Sequence, residues 1–374
     1  MIYENAILSG SIQISGSLNV NSNDLSNGAV SSSYSTTAER VRAGSSGSRP
    51  LDYANIQTGS LWYNTDSLAL EAFTGVSASW WQPIGSASVQ SYQLPTYAVD
   101  FLVVAGGGAS NRYNGGGAGA GGLRTSWGLP TGNSGGGAAA ESKLTLIPNT
   151  TYTITVGAGG AQNDATAPTS TNDGEDSSIS VSGTPTITSI GGGAAGVRTG
   201  DATGAARDGG SGGGGGSYSS GGYLAGSGTS GQGYNGANGV DGGNYQGGGG
   251  GGAAAAGTVP NGGNGLEVSI YDSVATYAGG GGAGANSSPG SGGSGGGGAG
   301  TSSYTMNNGT VNTGGGGGGG AMSGTISGGN GGSGIVILRM PTSNYTGTTT
   351  GSPTVATDGT DTILVFNSSG TYTA

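Results

Sequence analysis

Glycine enters this chain in blocks. Runs at 191–193, 212–216, 247–252, 279–282, 295–298 and 314–320 are separated by spacers of unequal length. Ahead of them lies the apolar run Val99-Asp-Phe-Leu-Val-Val-Ala105, and behind them Gly334-Ile-Val-Ile-Leu-Arg-Met340. Both flanks have the β-branched, apolar composition of strands. Strands on either side of a glycine block can pair and tie its ends together. The runs are therefore expected to be packed structural elements, not a spacer.

Glycine and proline, 91 and 11 of 374 residues, reach the range in which low-complexity disorder is the usual outcome. Disordered segments are normally rich in charge, yet between 209 and 334 only Asp241, Glu267 and Asp272 are acidic or basic. A helical fold is excluded, because each interior glycine costs about 0.8–1.0 kcal/mol against alanine. Long runs such as 314–320 break the strict period that collagen needs. The formal charge is −10, and nine basic residues are spread along the chain, so no nucleic-acid partner is expected. The chain has no cysteine and no histidine. That removes disulfides, thiolate metal sites and the commonest general base, so no cofactor, metal or catalytic residue is expected. The N-terminus lacks the basic and apolar regions of a signal peptide, and no apolar run approaches the ~20 residues of a membrane span. A soluble chain made without classical export, and without membrane insertion, is expected.

Four regions follow from the pattern. Residues 1–48 read as a stem and linker. Apolar and small polar residues alternate from Ser11 to Val20, the strand period. So few large side chains cannot form a monomeric core. Ile7, Ile12, Ile14 and Leu18 are the candidate attachment residues, in an intertwined oligomer or docked on another protein, and 43–48 is a flexible linker. Residues 49–95 form a small β unit, with strands expected at 59–66, 69–75 and 79–85. Trp62, Trp80 and Trp81 there suit a sugar-stacking platform, but a unit this small needs them as its core. Residues 96–341 form a glycine-rich β domain. In it 99–105 is buried on both faces, 142–147 and 151–156 make a hairpin through Pro148-Asn-Thr150, 178–182 pairs with 184–190, and 266–271 is a short strand within the array 191–333. Residues 342–374 are a C-terminal β hairpin.

Polyglycine forms an extended helix with three residues per turn and about 3.1 Å rise, so a run of six to nine residues spans roughly 20–28 Å. It has no internal hydrogen bonds, so when buried it must bond sideways to its neighbours. Without side chains, such rods approach closely enough for N–H···O and Cα–H···O contacts. Ordering glycine is entropically expensive, so only a lattice of many rods offsets it. The expected fold is all-β with a polyglycine II array: a fibre stem, a small β unit and a β framework enclosing glycine-rich rods. A backbone core offers no chemistry, so binding falls to the loops between rods. The longest spacer, 217–246, holds Tyr218, Tyr223, Tyr234 and Tyr245 among Ser, Gly and Asn, and Tyr304 stands in a later spacer. That composition suits adaptable binding surfaces; it equally suits caps that shield the ends of the slab.

Residues 59–66 with 80–84 resemble a module of bacteriophage tail-fibre and other virion proteins. The stretches 101–108, 121–126, 151–160 and 332–339 are similar to the framework of a glycine-rich domain in those proteins, and 365–372 to a strand motif found there. The glycine array resembles that of T-even-type phage adhesins. The resemblance covers most of 50–374 and implies a virion fibre or tail-tip protein, assembled in the host cytoplasm and displayed on the particle exterior as a homotrimer. It further implies that the N-terminal residues bind other virion proteins and that the five tyrosines contact a host surface protein or glycan. The alternative it leaves is a structural head-fibre or capsid decoration protein without a receptor. Catalysis would need paired carboxylates; the tight acidic clusters, 173–176 and 358–361, sit among Gly, Asn and Thr and read as turns. Calcium suits acidic oxygens, but neither cluster has EF-hand spacing.

Overall fold

The computed structural model describes residues 96–374 apart from 112–114, 163–171, 198–203, 218–222, 241–245, 272, 304 and 321–327, and, before residue 96, the backbone of four short strands. The chain divides into two compact units, Met1–Leu94 and Pro95–Ala374. The first contains β1 (Arg42–Gly44), β2 (Leu61–Asn64), β3 (Ala69–Phe73) and β4 (Trp81–Pro83). They form one sheet in that order, β1 parallel to β2 and the rest antiparallel. The three strands expected in 59–85 are present. Strand β1 falls inside the expected linker: its pairing of Arg42 with Trp62 uses only backbone groups, and no apolar pattern announces it. Ile7, Ile12, Ile14 and Leu18, and the tryptophan side chains of this unit, lie outside the described residues.

The second unit is all-β with antiparallel sheets, and among the described residues its only helix is short 3-10 turns. Its strands are β5 (Tyr97–Val104), β6 (Leu123–Thr125), β7 (Leu144–Leu146), β8 (Thr151–Thr155), β9 (Ser177–Val181) and β10 (Thr184–Ser189). After these come β11 (Leu266–Val268), β12 (Ala275–Tyr277) and β13 (Ile335–Pro341). The chain ends in β14 (Thr349–Thr350), β15 (Thr354–Asp358), β16 (Asp361–Phe366) and β17 (Gly370–Thr373). One sheet runs β15-β16-β13-β5-β6, with β7 beside the first half of β5; the other runs β10-β9-β8-β17-β14; β11 and β12 pair as a ribbon.

The flanking strands do pair. Ile335 lies opposite Val104 and Leu338 opposite Phe101, so β5 and β13 sit side by side in mid-sheet. Both are apolar on two faces because each face meets a separate core. Phe101, Val103 and Leu338 join Tyr152, Ile154, Ile179 and Tyr372 of the second sheet. On the opposite face Leu102, Val104, Ile335 and Ile337 meet Leu266, Val268, Ile270 and Tyr277 around the β11–β12 ribbon. Burying each such side chain is worth roughly 1.5–3 kcal/mol.

One expected element is corrected. Residues 142–147 and 151–156 do not form a hairpin: β7 pairs with β5, while β8 pairs with β9 and β17 of the other sheet. Both strands alternate as expected, but Leu144 and Leu146 face Tyr152 and Ile154 across the same core. Alternation reports a buried face, not a pairing partner. The expected pairs 178–182 with 184–190, and a short strand at 266–271, are present as β9–β10 and β11.

Between the strands the glycine tracts build a lattice of extended segments. Its hub is 115–122, every residue of which is buried. Gly116, Gly119 and Gly122 donate to the carbonyls of Gly196, Gly193 and Ile190; Gly117 and Ala120 to Gly248 and Gly251; Ala118 and Gly121 to Gly317 and Gly314. The hub carbonyls accept in the same rhythm. Ala105 and Gly108 donate to Gly122 and Gly119, Ser211 and Gly214 to Ala120 and Gly117, and Gly281 and Gly284 to Ala118 and Gly115. Every third residue thus addresses the same neighbour, and the hub touches six neighbouring segments. The segment 278–285 repeats the rhythm, with Gly280 and Ala283 bonded to Gly263 and Pro260, and Gly282 and Ala285 to Gly298 and Thr301. Glycine is required here by close approach: a β-carbon on Gly117 would land on the Gly281 carbonyl, and one on Gly119 on that of Ser211.

The lattice is wider than the array expected at 191–333. It takes in 105–111, 115–122 and 157–161. It also takes in stretches read as spacers, among them 223–228, 232–240, 260–265, 290–294 and 307–310. A segment at the rim needs glycine only on its inward rows, so side chains survive on the outward row and disguise it.

Candidate binding end of the glycine lattice

The strands set the direction of every segment. Strand β5 runs out into 105–111, and 115–122 returns antiparallel to it, feeding β6. In the same way 157–161, 190–197 and 278–285 leave β8, β10 and β12, while 172–176, 260–265 and 328–334 return into β9, β11 and β13. Hydrogen-bond register ties the outer ends together: Gly320 donates to Asn111, Gly116 to Gly196, Gly196 to Gly214, Gly284 to Gly115 and Thr301 to Gly319. Among the described residues, Asn111, Gln162, Val197, Ser217, Val240, Ala285, Thr301 and Gly320 therefore end lattice segments on the side away from the sandwich.

The described side chains at this end are small and hydroxylic, with a few exposed apolar groups. Asn286, Ser287, Ser288, Ser302 and Thr305 are exposed, as are Leu224, Val240 and Met306. Thr301, Ser303 and Thr305 link their hydroxyls at 3.2–3.3 Å. At the same end Asn111 donates Nδ2 to the Ala195 carbonyl at 3.2 Å, while its Oδ1 and the Ser217 hydroxyl are buried without a partner.

The structure separates the tyrosines. Tyr218, Tyr245 and Tyr304 lie outside the described residues. Tyr223 is half-buried at the same end, its N–H donated to Gly216 and its carbonyl accepting from Gly239. Tyr234 is elsewhere. Its backbone bonds Gly252 and Gly212, and its phenol reaches Gly137, where an added β-carbon would stand 2.6 Å from the hydroxyl. That places it at the sandwich end, packed against the turn that follows β6.

The sequence pattern of the glycine-rich domain family matches residues 85–341, more than half of the chain. The chain belongs to the glycine-rich domain family. No curated protein and no solved structure matches it. The glycine-rich domain so defined holds β5 to β13 and the whole lattice, and β14 to β17 beyond it complete the two sheets.

The acidic clusters of the glycine-rich domain are committed to structural partners. Asp176 Oδ1 accepts the Gly191 N–H at 2.8 Å and Asp173 Oδ1 accepts that of Ala194 at 2.9 Å. Gly191 and Ala194 are three apart, and the N–H groups of both are taken by side-chain carboxylates, whereas that of Val197, three further on, goes to the Gly204 carbonyl. Arg207 Nε pairs with Asp173 at 2.7 Å. Beyond the matched stretch, Asp358 and Asp361 hold Arg339 at 2.8 and 2.9 Å. The guanidinium also stacks 4.5 Å over the ring of Trp127 and donates to the Ile270 carbonyl. Burial works against its charge, and the hydrogen bonds to Asp361 and Asp358 outweigh that and raise its pKa. Among the described residues no three His, Cys, Asp or Glu side chains gather as a metal site would require.

Sequence reasoning missed the rim asparagines. Asn235-Gly-Ala-Asn-Gly239 and Asn261-Gly-Gly-Asn-Gly265 repeat at the lattice period of three, as Asp173-Gly-Glu-Asp176 does. That spacing was the available signal.

Proposed function

We propose that this chain is a bacteriophage fibre or tail-tip protein that displays the outer end of its glycine lattice to the host cell surface. In this reading the segments are polyglycine II helices in hexagonal packing. The recurrence of every hub partner at three residues fits three residues per turn, and six neighbours fit a hexagonal array. The observation that carries the function is the gathering of segment ends, from Asn111 to Gly320, on one side of a backbone-locked block. A rigid scaffold with its variable connections gathered on one side is the arrangement of a binding surface. Tyr218, Tyr223, Tyr245 and Tyr304 supply its aromatic contacts to a host protein or glycan, and Tyr234 is assigned to packing. Residues 1–48, through Ile7, Ile12, Ile14 and Leu18, join other virion proteins in a homotrimer.

The test is adsorption. Purified protein is mixed with bacteria susceptible to the parent particle, and bound protein and residual infection are measured. Saturable binding that blocks infection, lost in a Tyr218→Ser, Tyr245→Ser, Tyr304→Ser variant with unchanged unfolding, supports the reading. Incorporation into particles without any cell binding would leave a structural virion part instead.

A further inference from the structure

Asparagine followed by glycine is the most labile dipeptide in a polypeptide, because nothing on glycine hinders its nitrogen. That nitrogen attacks the asparagine Cγ, the Cγ–Nδ2 bond breaks, and ammonia leaves with the proton from the glycine N–H. Water then opens the resulting succinimide to aspartate or isoaspartate. Isoaspartate carries an extra methylene in the main chain, which would throw every later residue of a lattice segment out of its period of three.

The described residues contain six such pairs, at Asn235, Asn238, Asn261, Asn264, Asn308 and Asn330. All six share one arrangement. The asparagine Oδ1 accepts a backbone N–H from a neighbouring segment: Gly228 on Asn235 and Ala225 on Asn238 at 2.8 Å, Ser291 on Asn261 at 2.9 Å, Ser294 on Asn264 at 3.2 Å, Asn330 on Asn308 at 2.9 Å and Gln162 on Asn330 at 2.8 Å. The following glycine donates its own N–H to a neighbour's carbonyl, at Gly226, Tyr223, Ser291, Ser294, Asn330 and Gly160 respectively. At Asn261, Asn264 and Asn308 a single opposing residue takes both bonds and closes a ring. Asn111, followed by arginine, has no such clamp, and its Oδ1 is unpartnered.

We propose that these paired bonds protect the Asn-Gly pairs from succinimide formation. The glycine N–H, which must give up its proton to become the nucleophile, and the side-chain carbonyl whose carbon it must attack are both bonded to the same neighbouring segment, and the ring cannot close until those bonds open. Asparagine serves at the rim because its carbonyl replaces a missing neighbour, and glycine must follow because the next row faces inward. The clamp lets an exposed, labile dipeptide persist in a lattice that isoaspartate would dislocate.

The test follows deamidation site by site. Full-length folded protein, and the same protein unfolded in concentrated guanidinium, are incubated at mildly alkaline pH, and aspartate and isoaspartate are counted by peptide mass spectrometry. Conversion that proceeds only through local opening should be slower in the folded protein by about tenfold or more at all six sites; equal rates would overturn the proposal. The Ser291→Pro variant removes the N–H given to Asn261 while keeping the carbonyl that accepts from Gly262. Conversion at Asn261 should rise several-fold with the other five unchanged. An unchanged Asn261, or all six rising together, would refute the local clamp.

Discussion

Val103 and Val336 lie directly opposite each other in the centre of the first sheet, and every lattice segment lies between them in sequence. The lattice is thus an insertion between two adjacent strands, and the sandwich core clamps its two ends together. Closing so long an insertion costs little more entropy than closing a shorter one, because the cost rises only logarithmically with length. The two cores flanking β5 and β13 offset it.

Truncating the clamp should loosen the lattice. Leu338 is 1 % exposed in the sandwich core. Leu338→Ala is expected to cost about 2–5 kcal/mol in urea unfolding. Hydrogen exchange at Gly121 and Gly317 should accelerate in the same variant, although neither touches the mutated side chain. Unchanged protection there would show that the lattice holds together without its closing strands.

A single methyl should discriminate the interior from the periphery. Gly117→Ala forces a β-carbon onto the Gly281 carbonyl, whereas Gly128→Ala meets nothing closer than 3.8 Å. The first is expected to destabilise by at least about 1–3 kcal/mol, the usual cost of overpacking. The second should be neutral or stabilising by up to about 1 kcal/mol, through the unfolded chain. Thermal unfolding of the two variants side by side checks this.

The carboxylate that takes the Ala194 N–H in place of a backbone carbonyl should behave as an acceptor. Asp173→Ala leaves the Ala194 N–H without its partner and Arg207 unpaired, an expected loss of about 1–3 kcal/mol. Asp173→Asn keeps an acceptor and should lose less. Denaturant titration of both variants at neutral pH separates the hydrogen bond from the charge.

Alkaline pH should expose the sandwich. Burial, with the hydrogen bond to the Tyr372 hydroxyl, raises the Tyr97 pKa well above its ordinary value of 10.0. A raised folded pKa means that this stabilisation is complete below about pH 10, the unfolded value, and is lost as pH rises from there toward the folded pKa. Unfolding free energy should therefore fall with pH in that window. Tyr97→Phe should flatten the slope.

The glycine runs and their two apolar flanks were enough to establish an all-β framework tied at 99–105 and 334–340. Alternation at 142–147 and 151–156 marked the right strands, since period two records which face is buried. Which strand each one pairs with was not legible, because both faces of that corner enter one core. The candidate site was legible only as composition. Spacing placed Tyr223 and Tyr234 in one loop-like stretch, and the structure puts them on lattice segments at opposite ends.

What the sequence alone determined is the material: runs without β-carbons can be ordered only by bonding sideways to one another, and β-branched flanks can close them. What only the tertiary structure decided is the arrangement. Backbone hydrogen bonds carry no residue identity, so nothing in a glycine run says which six neighbours it meets or that 115–122 is the hub. The strands decided that, by fixing where each segment starts and which way it points. The rim asparagines and aspartates took their roles only where N–H groups of an adjacent segment were left without a backbone carbonyl to bond.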